Sequence, residues 1–149
     1  MLGPMTSSAL PNRATQPGTS LAILSVVCGG AIGATLRFAV ELALAGGVAS
    51  PLLAASLSLL VVNAAGSAGL GWLLGHLERR GGAPWLRPFL GVGVFGAFTT
   101  FSGFAAHLRV LHLQAGATAT TGFFVASCLT AVLLFHAARG ARPETGEGA

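Results

Sequence analysis

Hydrophobic positions fall in four long blocks, from about Leu21 to Ala45, Leu52 to Gly75, Phe89 to Leu113 and Ala117 to Ala138. Each block supplies roughly 20 or more mostly apolar positions, enough to cross a hydrocarbon core of roughly 30 Å. Helices are the expected form, because a segment in lipid must satisfy its own backbone N–H and C=O groups. The flanks read differently. Residues 1–20 are rich in Ser, Thr, Pro and Gly, and residues 139–149 are short and polar, so both are expected to be disordered tails around a membrane domain at 21–138. The longest connection, His76 to Pro88, holds loop material such as Gly81-Gly82-Ala83-Pro84, which leaves no room for a soluble domain between blocks. A cleaved signal peptide fits the first block poorly, since the stretch is long for such a segment and contains Arg37.

The third block is interrupted near its middle by Gly96-Ala97-Phe98-Thr99-Thr100-Phe101-Ser102-Gly103-Phe104. A polar, helix-breaking run at bilayer depth is costly unless protein or water satisfies the freed groups. The hydroxyls of Thr99, Thr100 and Ser102 crowd one turn and compete with the helical backbone for hydrogen bonds. Phe101 and Phe104, three positions apart, project from one helix face. An aromatic ring has a positive edge, so two rings presenting edges to a narrow passage can coordinate an anion weakly. Weak binding suits conduction, which needs sites good enough to replace water and poor enough to release the ion. Standing alone, such a pair is more often a packing or lipid-facing feature; the hydroxyl-rich turn beside it changes the balance. Asn63 lies near the centre of the second block among Val61, Val62, Ala64 and Ala65. Its amide must find a partner there, either an interhelical hydrogen bond worth roughly 1 kcal/mol or a ligand.

Composition agrees with a membrane protein. Of 149 residues, 53% are hydrophobic and 8% charged, too little polar surface for a soluble globule of this size. The formal charge of +4 does not point to nucleic acid, because the chain has no lysine and its eight arginines are scattered through termini and connections. Cys28 and Cys128 sit in apolar stretches and act as small hydrophobes. Small residues at Gly29 and Gly33, and at Ser67, Gly71 and Gly75, repeat every four positions and make grooves for close helix packing. No nucleotide site, hydrolytic triad or redox motif appears, so the chain is not expected to be an enzyme.

These residues carry a family resemblance. The strings Gly29-Gly30-Ala31-Ile32-Gly33-Ala34-Thr35-Leu36-Arg37-Phe38, Asn63-Ala64-Ala65-Gly66-Ser67 and Gly91 to Phe104 resemble the signature stretches of the Fluc (CrcB) fluoride channels. The resemblance implies an all-α integral membrane protein of four transmembrane helices, the third broken in mid-membrane, paired as an antiparallel dimer in the cell membrane. It implies a fluoride-selective channel that passively exports cytoplasmic fluoride, with a structural, untransported sodium ion between the two paths. Residue by residue, Phe101 and Phe104 match the aromatic box, Asn63 a polar lining donor, and Ser127, with Thr130 as the competing position, a serine of the fourth span's polar track. Ser102 matches a contact near the inner end of the path. Gly96 and Thr99 match the positions whose backbone carbonyls hold sodium, and Arg37 matches an arginine expected to draw anions into a vestibule. The chain departs from the family pattern at Ala97, where a second glycine is usual, at Gly103 and Leu59, where threonines are common, and at His107, where glutamate is common.

Arg13, Arg79, Arg80, Arg87, Arg139 and Arg142 belong to the side that carries both termini, whereas the opposite side has Arg109, a bias toward termini inside. An antiparallel homodimer needs each copy to insert both ways, so two expectations stand: insertion ignores the bias, or the chain pairs with an oppositely oriented relative. Two rival functions stand beside the channel: a noncatalytic membrane scaffold, for which the small-residue grooves would suffice but which leaves the Thr99-Thr100-Phe101-Ser102 turn unexplained, and a small four-helix proton-coupled multidrug or cation exporter. That mechanism needs a carboxylate deep in the membrane, and Glu41, near the end of the first block, is the only candidate.

Overall fold

The computed structural model describes residues 18–141, and every regular element among them is helical. Helix α1 spans Thr19–Gly47 and α2 spans Pro51–Arg80. A π-helical segment, Arg87–Phe95, then runs into the single turn α3, Gly96–Phe98, and α4 covers Phe101–Gly140. Most of the expected tails, including Arg13 and Arg142, lie outside the described residues. Three stretches are long and apolar enough to cross a bilayer: Thr19–Gly47, Pro51–Arg80 and the 54 residues of Arg87–Gly140.

Local chemistry sets the ends of α2. Ser50 caps its start by accepting the Leu53 N–H at 3.4 Å, and Pro51 occupies the first turn, where its missing N–H costs nothing. At the other end Gly81 adopts φ 70°, and its N–H returns to the Leu77 carbonyl.

The last long stretch is not one straight rod. Gly116 takes φ 82° and ψ 178°, which an L-residue with a side chain rarely adopts. On a continuous helix Phe104 and Phe123 would stand about 28 Å apart, yet their ring centroids are 5.9 Å apart. The chain therefore folds back at Gly116, and the part of α4 after it lies against the part before it.

The core runs along α2, where Ala54, Ser58, Val62 and Gly66 recur every four residues on a buried face. That helix meets both parts of α4. Ser56 Oγ lies 2.8 Å from His107 Nε2, and Gly71 packs against the Phe135 backbone. At the far end the Arg79 guanidinium donates to the Arg139 and Ala141 carbonyls at 2.9 and 3.2 Å, while Arg139 pairs with Glu78 at 2.6 Å. On the other flank α1 lies against the π-helical segment. Gly29 and Gly33 face the carbonyl oxygens of Phe89 and Val94 so closely that no side chain fits between the two backbones. Ile23, Leu24 and Val27 of α1 point outward and are exposed, as expected for a surface solvated by lipid rather than water.

Candidate functional site

Between α3 and α4 the backbone abandons helical geometry: Thr99 has φ −73° and ψ 153°, Thr100 φ −141° and ψ 117°. Four hydrogen bonds define this break. The Thr99 N–H and hydroxyl both donate to the Phe95 carbonyl, at 3.0 and 2.9 Å. The Thr100 N–H donates to Asn63 Oδ1 at 3.1 Å, and the Gly103 N–H donates to Thr100 Oγ1 at 3.1 Å. In an unbroken helix the last two N–H groups would have closed onto the carbonyls of Gly96 and Thr99. Both are diverted, so these two carbonyl oxygens lose their helical partners at adjacent turns.

The same break opens onto a groove of about 430 Å³ among α2, the π-helical segment, α3 and both parts of α4. Asn63, Gly96, Thr99, Phe101, Phe104 and Ser127 all line it. Asn63 arrives with its carbonyl oxygen already occupied by Thr100, which leaves its amide hydrogens as the groups free to serve a ligand. Ser127 is buried, and its hydroxyl has no hydrogen-bond partner among the described residues. An unpartnered buried hydroxyl is costly unless something binds it. Phe104 is held in place by Phe123 and Phe124, with ring centroids 5.9 and 6.0 Å away, while Phe101 is 82% exposed within a single chain. None of the residues lining the groove is Arg, Asp, Glu or His. Neutral hydroxyl and amide donors and two aromatic rings are set in otherwise apolar walls, a chemistry that can hold an anion only weakly.

Two other expected residues, Ser102 of the path and Arg37 of the vestibule, do not line this groove within a single chain. Ser102 does not line the groove; its hydroxyl lies 3.4 Å from Thr100 Oγ1 on an exposed turn. Arg37 lies on α1, away from the groove, with Nε 3.8 Å from Glu41 Oε1. That pairing also bears on the exporter reading, since Glu41 is a partly exposed member of an ion pair rather than a lone carboxylate inside the bundle.

Thr100 was not singled out by the sequence as more than one hydroxyl in a crowded turn, yet it is the joint of the site. The available signal was a capping pattern, a threonine three positions before Gly103 at the start of a helix. The departures at Leu59 and Gly103 also prove to be neighbours: a Cβ on Gly103 would come within 3.7 Å of Leu59 Cδ2, so the larger residue fills space that the smaller one leaves. His107 faces a second cavity, of about 560 Å³, that Glu41 and Ser58 share.

Gly66 shows how tightly the break is held. A Cβ there would strike Thr99 Cγ2 and come within 3.3 Å of the Phe98 ring. Thr99 can escape only by rotating its side chain, which breaks its hydroxyl bond to Phe95. Gly66→Ala is therefore expected to destabilise the purified protein by about 1–3 kcal/mol. Thermal unfolding in detergent measures this, with Gly122→Ala as the control, since nothing lies within 4 Å of a Cβ at Gly122. Equal midpoints for the two variants would contradict the packing described.

Residues 24–139 match the family model described as CrcB-like protein, Camphor Resistance (CrcB), a span that includes the break and every groove residue named above. A protein of Novosphingobium aromaticivorans named "Fluoride-specific ion channel FluC" is 40% identical over 106 residues, covering 71% of this chain and 82% of its own length. One of the same name from Idiomarina loihiensis is 42% identical over 111 residues, covering 72% and 83%. A match over most of the chain, carried through both the helical framework and the interrupted segment, makes this multi-pass membrane protein a member of the CrcB family, a family of ion channels and not of enzymes.

Proposed function

We propose that this chain forms a fluoride-selective channel through which fluoride leaves the cytoplasm passively, down its electrochemical gradient. The observation that carries the reading is the groove at Thr99–Thr100, where free amide hydrogens of Asn63, the unpartnered Ser127 hydroxyl and the rings of Phe101 and Phe104 converge without a formal charge. Its relatives of 40 and 42% identity carry the name of fluoride-specific channels.

The physics favours this division of labour. Moving a bare halide into a medium of low dielectric costs tens of kcal/mol by the Born estimate, so the path must offer several donors along its length. A full positive charge at the narrowest point would bind too well to release the ion quickly. Neutral hydroxyl, amide and ring-edge donors avoid that trap. Arg37, off the groove and nearer the aqueous end of α1, suits a vestibule role, raising local anion concentration without entering the path.

The assembly belongs to the same proposal. The chain crosses the membrane four times, with the turn at Gly116 separating the last two crossings and the break at Thr99–Thr100 at mid-depth. Two such chains pair antiparallel, and the exposed Phe101 ring beside an open groove is a surface that a second subunit would cover. Sodium fits the break, because carbonyl oxygens relieved of their helical partners are the ligands that hard cations prefer. Gly96 and Thr99 would hold it, and a fixed positive charge there would lower the cost of an anion in each flanking path. Arg79, Arg80, Arg87 and Arg139 gather where α2 and α4 end and the π-helical segment begins, a charge bias that favours a cytoplasmic position for that side. A C-terminal tag mapped in cells that lack any related chain tests the pairing. Both orientations are expected for a homodimer; a single orientation would instead require an oppositely inserted relative.

Phe101→Ile and Phe104→Ile test the ion path itself. Each keeps apolar bulk but removes the positive ring edge, and each is expected to lower fluoride release from loaded liposomes on the order of 100-fold or more with unchanged assembly on gel filtration. Wild-type release rates in both variants would remove the rings from the conduction path.

A further inference from the structure

We propose that Thr100 is the positioning residue that keeps the Gly96 and Thr99 carbonyls open, an inference that rests on reading those oxygens as the sodium ligands. Thr100 intercepts both of the N–H groups that a continuous helix would deliver to them. Its own N–H, extended away from the helix axis by φ −141° and ψ 117°, goes to Asn63 Oδ1 at 3.1 Å instead of to Gly96. Its hydroxyl accepts the Gly103 N–H at 3.1 Å and so keeps that donor from Thr99. Burial favours the second interception: Thr100, at the wall of the groove, is only 8% exposed, so little water competes for its hydroxyl. Ser102, whose hydroxyl lies 3.4 Å away on an exposed turn, is the only other side-chain hydroxyl in contact with it among the described residues.

The consequence is specific to the hydroxyl. Thr100→Val keeps the shape and the β-branch that favours extended backbone, but its side chain cannot accept a hydrogen bond. The Gly103 N–H would then be orphaned in a partly buried position, and the nearest remedy within the chain is a helical bond to the Thr99 carbonyl. Winding the break by that one bond turns an oxygen away from the cation. Thr100→Ser retains the acceptor and should retain the open carbonyl.

Sodium-dependent stability reads this out independently of conduction. The full chain, purified as its assembled form, is unfolded thermally in sodium chloride titrated against N-methylglucamine chloride at constant ionic strength, so that a bound cation raises the midpoint by mass action. Wild type and Thr100→Ser are expected to show the same sodium-dependent rise, and Thr100→Val to need about tenfold more sodium for it. Thr100→Ala removes the same acceptor with less side chain and gives a second reading if the valine variant does not assemble. An unchanged sodium response in these acceptor-free variants, beside a responding wild type, would overturn the role of Thr100 and leave the sodium reading intact. A wild type that ignores sodium would overturn the sodium reading and this inference together.

Discussion

Asn63→Asp is expected to abolish fluoride conduction without unfolding the protein. The aspartate can still accept the Thr100 N–H through one oxygen, as Asn63 Oδ1 does at 3.1 Å, so the link between α2 and the break survives. What changes is the other atom, which offers at most one donor when protonated and none when ionised, where the amide offers two. An ionised carboxylate 4 Å from the anion adds about 4 kcal/mol of repulsion at an effective dielectric of 20, enough to slow passage on the order of 1000-fold. Fluoride release from liposomes containing the variant checks this, with gel filtration to establish assembly. Release at the wild-type rate would mean that the path does not pass Asn63.

Gly33→Ala should have the largest effect on stability. A Cβ at this position would fall on the Val94 carbonyl oxygen, with Val94 C at 2.9 Å and Phe98 N at 3.0 Å. All three obstacles are backbone atoms, so no rotamer change relieves them, and α1 must move away from the π-helical segment. Overpacking of a close contact costs about 1–3 kcal/mol and occasionally more. With the obstacle rigid and the adjacent Gly29 contact on Phe89 lost as well, about 3 kcal/mol is expected. The damage is also functional in kind, because the displaced segment ends in the turn that presents Gly96 and Thr99. A thermal midpoint equal to that of Gly122→Ala would contradict this packing.

The blocks of hydrophobicity were legible because a bilayer imposes one length on every crossing helix, and that length leaves its mark in composition. The break was legible for a related reason: adjacent Thr99 and Thr100 with Ser102 place hydroxyl competitors in one turn of an apolar helix. Its wiring was not. The bond from Thr100 to Asn63 joins residues 37 apart in sequence, and no local pattern states which amide atom turns toward the groove. The π-helical segment Arg87–Phe95 was equally hidden, since i→i+5 bonding has no compositional signature. Ser127 entered through family resemblance alone, and only the fold reveals that its hydroxyl is buried without a partner. The same resemblance named Ser102, whose place on the turn beside Thr100, exposed in a single chain, follows from the capping geometry of Thr100 at the start of α4.

Fluoride must move through this protein if the groove is an ion path, and a fluoride electrode measures that directly. Liposomes loaded with potassium fluoride and carrying the purified wild-type chain should release fluoride within seconds of adding valinomycin, while matched vesicles loaded with potassium chloride keep their chloride. Fluoride release no faster than from protein-free lipid, in vesicles shown to contain assembled protein, would contradict it.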